Sequence, residues 1–106
     1  MDITTKALER LRRKLTVENL WMYVIKVLKD KGELRAYDIK KELVSNFGIR
    51  PATITVYVVI YKMCEEGLIE SIKSINDTRY RVTEKGIQAF NDGLKFLNEI
   101  IDKLSR

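Results

Sequence analysis

Two amphipathic stretches separated by a three-residue turn constrain this chain more than any other feature. The first runs from Ala36 to Phe47. It carries Ile39, Leu43 and Phe47 at spacing four, with Tyr37 and Val44 beside them, and Gly48 stops it. Gly48-Ile49-Arg50 is the turn. The second stretch, RPATITVYVVIYKMCEEG over 50–67, predicts a helix over 51–66. Pro51 suits a first helical turn, because its missing N–H would have no partner there. Val56, Ile60 and Met63, with Val59 beside them, give one buried stripe. Gly67 takes the left-handed position after the helix without steric cost, and Leu68 and Ile69 restart the chain as strand. Helix, tight turn and helix make a helix-turn-helix unit.

Opposite that stripe the second helix presents Thr53, Thr55, Tyr57, Tyr61 and Lys62. These are hydroxyls, phenols and one cation, the groups that meet phosphates and base edges. Arg50 stands at the helix entrance, within reach of a DNA backbone. The same pattern also occurs on helices that only cap a core, so the helix alone does not decide; the residues after Gly67 add weight. Leu68 to Ile75 and Arg79 to Thr83 predict strands around a turn at Asn76-Asp77-Thr78. In the second strand Tyr80 and Val82 alternate with Arg79 and Arg81. The hairpin, 68–83, reads as the wing of a winged helix. Lys73, Asn76, Arg79 and Arg81 are its candidate phosphate or minor-groove contacts; the plainer alternative is a solvated hairpin with surface arginines.

The flanks predict helices too. Ile3 to Leu15 has Ile3, Ala7, Leu8, Leu11 and Leu15 on one side and Lys6, Glu9, Arg10 and Arg13 on the other, with Thr4 or Thr5 as cap. Its basic block is either a solvated face or an arm that lays Arg10, Arg12, Arg13 or Lys14 against phosphate. Thr16 reads as the N-cap of a helix over Val17–Lys29, with Glu18 in its first turn. Leu20, Trp21, Val24, Ile25, Val27 and Leu28 form a band too wide for a helix with one wet side. That helix must touch both the core and a second surface, with Trp21 in the core. Lys31-Gly32 ends it, and Glu33-Leu34-Arg35 is long enough for a short strand against the hairpin. Thr83 caps the last helix. Ile87, Phe90, Leu94, Leu97, Ile101 and Leu104 follow at spacings 3, 4, 3, 4, 3, a heptad seam widened by Phe96 and Ile100. A small domain has no core left to absorb that surface, so the helix reads as a dimerisation element.

Composition narrows the chemistry. With 106 residues the chain is one domain, divided into an N-terminal helical arm (1–15), a winged helix-turn-helix (16–83) and a C-terminal dimerisation helix (84–106). The chain has no histidine and a single cysteine, Cys64, so no zinc site, Cys–His nucleophile, Ser–His–Asp triad or internal disulfide can be assembled. Its five glycines are scattered singly, which leaves no phosphate-cradling loop. Enzyme chemistry, metal and cofactor are not expected. Cys64 reads as an inert helix residue, with redox sensing as the alternative. No stretch is long and apolar enough to span a membrane, and the N-terminus lacks an apolar secretory core, which predicts a cytoplasmic protein. The net charge of +5 is uneven: residues 1–16 hold five Lys/Arg against two acids, residues 50–83 five against four, and residues 84–106 four against four. A basic excess favours polyanions.

In LWMYVIKVLKDKGELRAYDIKKEL (20–43), TVYVVIYKMCEEGLIES (55–71) and RYRVTEKG (79–86) the chain resembles the PadR-like winged-helix transcription regulators. The more specific features are Tyr37-Asp38-Ile39 after a short strand, Tyr57, and Glu65-Glu66-Gly67-Leu68-Ile69. Ala36 stands where the family usually has glycine, and Val58 where it usually has proline after the recognition-helix tyrosine. The resemblance implies a mainly α (α+β) homodimer, usually a repressor, that reads a palindromic site in double-stranded DNA. Some relatives release DNA on binding a small molecule, and some hold flat aromatic compounds between subunits; Trp21, Phe90 and Phe96 are the aromatic residues available here. The expectation is therefore a homodimeric DNA-binding regulator with 51–66 in the major groove and 68–83 on the backbone. A protein-interaction module and a sequence-neutral chromatin protein are the alternatives.

Overall fold

A computed structural model describes residues 4–106 and contains five helices and one two-stranded antiparallel hairpin. Helix α1 (Lys6–Leu15) starts where the Leu8 N–H donates to Thr5 Oγ1 at 3.1 Å. Ile3, expected at its start, lies outside the described residues. Thr16 closes α1 and does not open the next helix: its N–H donates to the carbonyl of Arg13 and its hydroxyl to that of Arg12. Asn19 takes the capping position, and α2 runs Leu20–Lys31. Glu18, expected in the first turn of α2, accepts from Arg13 at 2.6 Å and Lys14 at 2.7 Å. These bonds hold its carboxyl below the usual carboxylate range, Lys14 contributing most. The Tyr23 hydroxyl donates to the Leu15 carbonyl at 2.6 Å and ties α1 to the body, although α1 buries no residue of its own.

Helix α2 is the centre of the core. Leu20, Val24, Ile25, Val27 and Leu28 are buried on more than one side, as the width of its apolar band predicts, and Trp21 packs half-buried at the margin. Gly32, at φ 86°, ends it. The short strand expected at 33–35 is a single bridge, Leu34 to Tyr80, closed by N–H···O bonds of 3.1 and 2.8 Å. Helix α3 (Ala36–Phe47) buries Ile39 and Leu43. Tyr37 does not join that stripe. Two residues from Ile39 it lies about 200° around the helix, and it stands exposed with Lys41 over its ring.

Helix α4 (Thr53–Glu65) begins later than expected. Ile49 and Pro51 are buried in the connection, Ala52 stays extended as the cap, and Pro51 sits outside the helix. Val56, Ile60 and Met63 fill the core as the stripe predicts. After Gly67 come β1 (Ile69–Lys73) and β2 (Thr78–Val82), paired in register from Ile69–Val82 to Lys73–Thr78. The turn begins two residues and ends one residue earlier than the sequence suggests, so β1 stops at Lys73 short of the expected Ile75, because Ser74 donates from its N–H to the Asp77 carbonyl and from its hydroxyl to Asp77 Oδ1, which closes a loop over 74–77. Thr78 is thereby released into the strand.

Helix α5 (Glu84–Ser105) is capped by Thr83, whose Oγ1 accepts from the Gly86 N–H at 3.0 Å and lies 2.6 Å from the Gly67 carbonyl oxygen. One hydroxyl thus joins the end of α4 to the start of α5. A Cβ at Gly86 would collide with the Leu68 carbonyl, so only glycine permits this approach. No helix among the described residues is long and apolar enough to cross a membrane.

Candidate nucleic-acid interface

A straight α-helix advances about 100° per residue, and the buried Val56, Ile60 and Met63 fix which side of α4 faces the core. Directly opposite lie Ile54, Val58, Tyr61 and, in the last turn, Glu65, all exposed. The residues expected to form one polar face instead divide between its two flanks. Thr53 leans toward α3 and Tyr57 toward the wing, where Tyr57 borders a groove of about 370 Å3 with Arg35, Tyr37, Asp77, Thr78 and Tyr80. Thr55 and Lys62 lean the other way, onto a groove of about 440 Å3 with Val17, Glu18 and Leu20, whose edge Ile54 and Val58 also line. Lys40 of α3 donates to Thr53 Oγ1 across the helix-turn-helix.

The wing divides as well. Its register puts Glu70, Ile72, Arg79 and Arg81 on one face and Lys73, Thr78 and Tyr80 on the other. Asn76 is exposed at the tip beside a fully exposed Ile75. Arg81 is held by Glu70 at 2.6 Å and approached by Glu33 at 3.8 Å, and the Glu70 bond raises its already high pKa. Arg79 lies 3.4 Å from Asp77. Arg50, Lys62 and Lys73, by contrast, pair with no acid among the described residues. Exposed ion pairs are weak, so the two wing arginines can exchange a carboxylate for a phosphate, but they start from a neutralised state. Cys64 is half-buried against the core, and burial pushes its thiol up, away from the thiolate that oxidation needs.

The terminal seam runs out of the chain's own core. Ile87 and Leu97 pack against it and Phe90 is buried within it, whereas Leu94, Ile101 and Leu104 stand exposed together with Phe96 and Ile100. Gly93 brings α5 against Met22 and Trp21 of α2. Ile54 and Val58 on α4, and Tyr37, Lys40 and Lys41 on α3, are not among the contacts expected from the sequence, which places Tyr37 in the buried stripe. Counting helical angle outward from Val56, Ile60 and Met63 would have found the first two.

Neither a protein-family profile nor a curated protein sequence matches the chain. Solved structures do. F93 from STIV, a winged-helix DNA-binding protein, superposes with a TM-score of 0.68 at 17% identity, over 79% of this chain and 91% of its own. A PadR-family transcriptional regulator from Eggerthella lenta gives 0.73 at 19% identity, over 93% and 89%. Bacillus subtilis PadR, solved in complex with operator DNA, gives 0.62 at 28% identity, over 72% of this chain and 47% of that longer one. The chain is a winged helix-turn-helix protein whose structural neighbours include transcription regulators of the PadR family.

Proposed function

We propose that the chain is a homodimeric DNA-binding transcription regulator that represses by occupying its site. In this reading α4 enters the major groove, Tyr57, Tyr61, Thr53 and Thr55 approach the bases, and Arg50, Lys62 and Lys73 neutralise phosphates, with Arg79, Arg81 and Asn76 of the wing as secondary contacts. The observation that carries it is the charge pattern of α4: from Arg50 to Lys62 there is no acid, and both cations are without an acidic partner among the described residues. A polyanion fits such a surface. The likeness to a regulator solved on its operator supports the same reading.

The exposed half of α5 supports self-association. Leu94 and Leu97, with Phe90, Met22, Tyr23 and Phe47, line an open cleft of about 530 Å3 whose walls are mostly apolar. A helix of a second copy would fill it, and Leu94, Ile101 and Leu104 would lie in the seam. A two-fold dimer would then present two α4 helices to half-sites about 34 Å apart or a multiple of that.

The test is fluorescence anisotropy on the duplex upstream of the protein's own gene and on a scrambled duplex, over a salt series. A preference for the native duplex that grows with salt is expected. Equal binding would point to a sequence-neutral chromatin protein, and no binding at low salt to a protein-interaction module.

A further inference from the structure

We propose that the outermost line of α4 reads thymine, through contact of Ile54 and Val58 with the C5-methyl group. The inference rests on the DNA-binding reading above and supplies what it lacks, a source of base discrimination. Arginine, asparagine and glutamine make the bidentate bonds to guanine and adenine in the major groove, and α4 contains none of them. In their place Ile54 is 72% exposed and Val58 43% exposed, one helical turn apart and facing away from the core. Ile54 gains little from burial, Val58 is only partly covered, and what remains exposed of both is solvated at a cost.

Their setting identifies the occupant. Along the sequence Arg50 and Lys62 bracket the pair, Tyr57 and Tyr61 flank it, and the first acid of the helix is Glu65 in its last turn; Glu18, which shares a groove with Ile54, Val58 and Lys62, is already held by Arg13 and Lys14. An apolar protein surface has no use for a rim of unpaired cations, whereas DNA has phosphates for the rim and, in the major groove, one apolar group on a base edge, the methyl of thymine. Ile54 stands in the first turn of α4, the part of a recognition helix that reaches the bases. Both side chains are branched at Cβ and hold few rotamers, so ordering them against a methyl group loses little entropy.

The test selects duplexes from a random pool with the full chain, then replaces each thymine of the winning duplex by deoxyuracil, which removes only the methyl. Replacement at one or two positions per half-site is expected to weaken binding about four-fold, the equivalent of one buried methyl group. That penalty is expected to vanish in Ile54→Ala or Val58→Ala. Uracil penalties below two-fold everywhere, or penalties undiminished in both variants, would overturn the thymine contact while leaving DNA binding intact. A pool methylated at cytosine C5 that outcompetes the selected duplex would move the contact to methylcytosine and overturn it too. If no duplex is retained at low salt, the DNA-binding reading fails with it.

Discussion

Helices α4 and α5 both expose branched and aromatic apolar side chains, yet their surroundings differ. On α4, Ile54 and Val58 lie between Arg50 and Lys62 with no acid before Glu65. On α5, Leu94, Ile101 and Leu104 lie among Asp92, Lys95, Glu99, Asp102, Lys103 and Arg106, three acids and three bases. An apolar line within an uncompensated positive rim suits a polyanion that offers a few apolar contacts. The same line within balanced charges suits another protein surface, where paired charges fix register and the apolar seam supplies the energy. The difference teaches that exposed apolar area alone does not name a partner; the charge around it does.

The largest effect is expected where the two regions meet. Gly86→Ala drives a methyl into the Leu68 carbonyl and should lower stability by about 3 kcal/mol, read as a lower urea midpoint; an unchanged midpoint would mean that α5 can shift away from the wing without cost. Next, Ile101→Glu introduces a charge into the α5 seam and should raise the dimer dissociation constant about 30-fold or more, measured by sedimentation equilibrium, while its thermal transition at low concentration stays that of a folded monomer. A variant that remains dimeric at micromolar concentration would move the interface off α5.

Smaller effects divide the cations. Lys62→Ala should reduce the log–log salt slope of DNA binding by about 0.9, the value for one phosphate contact. Arg81→Ala should reduce it by less than half of that, because Glu70 already offsets its charge. Equal losses would erase the distinction between free and paired cations. The smallest effect concerns Glu18, whose folded pKa is depressed by Lys14 and Arg13. A depressed carboxyl adds stability above its unfolded pKa and loses it as pH falls through the folded value. The urea midpoint of the wild type should therefore exceed that of Glu18→Gln at neutral pH, and the gap should close in acid below the usual carboxylate pKa. A gap constant with pH would exclude the ion pairs as its source.

The elements legible in the sequence are those set by one residue's own conformational preference. Gly48, at φ 65°, and Gly67, at φ 76°, end α3 and α4 where glycine was expected to, and Thr83 caps α5 through a local bond to Gly86. The departures occur where the outcome depends on a partner. Thr16 is a good cap by composition, yet its hydroxyl turns back to Arg12. Pro51 is suited to a helix start, yet it is buried in the connection and the helix waits for Thr53. The hairpin turn moved because Ser74 found Asp77. At the candidate interface, side-chain type drew attention to Thr55, Tyr57 and Lys62 as one face, but only the angle measured from Val56, Ile60 and Met63 separates them and brings Ile54 and Val58 forward. The pairing of Arg81 with Glu70, directly across the hairpin in the observed register, was invisible until that register was known.

Hydrogen–deuterium exchange of the full chain, with and without a selected duplex, separates the two regions in one measurement. DNA is expected to slow exchange over residues 50–62 and the wing, while residues 94–104 are expected to show protection in the free chain, from the proposed dimer, that DNA leaves unchanged. Protection appearing over 94–104 with none over 50–62 would contradict the assignment of α4 to DNA and α5 to a second copy of the chain.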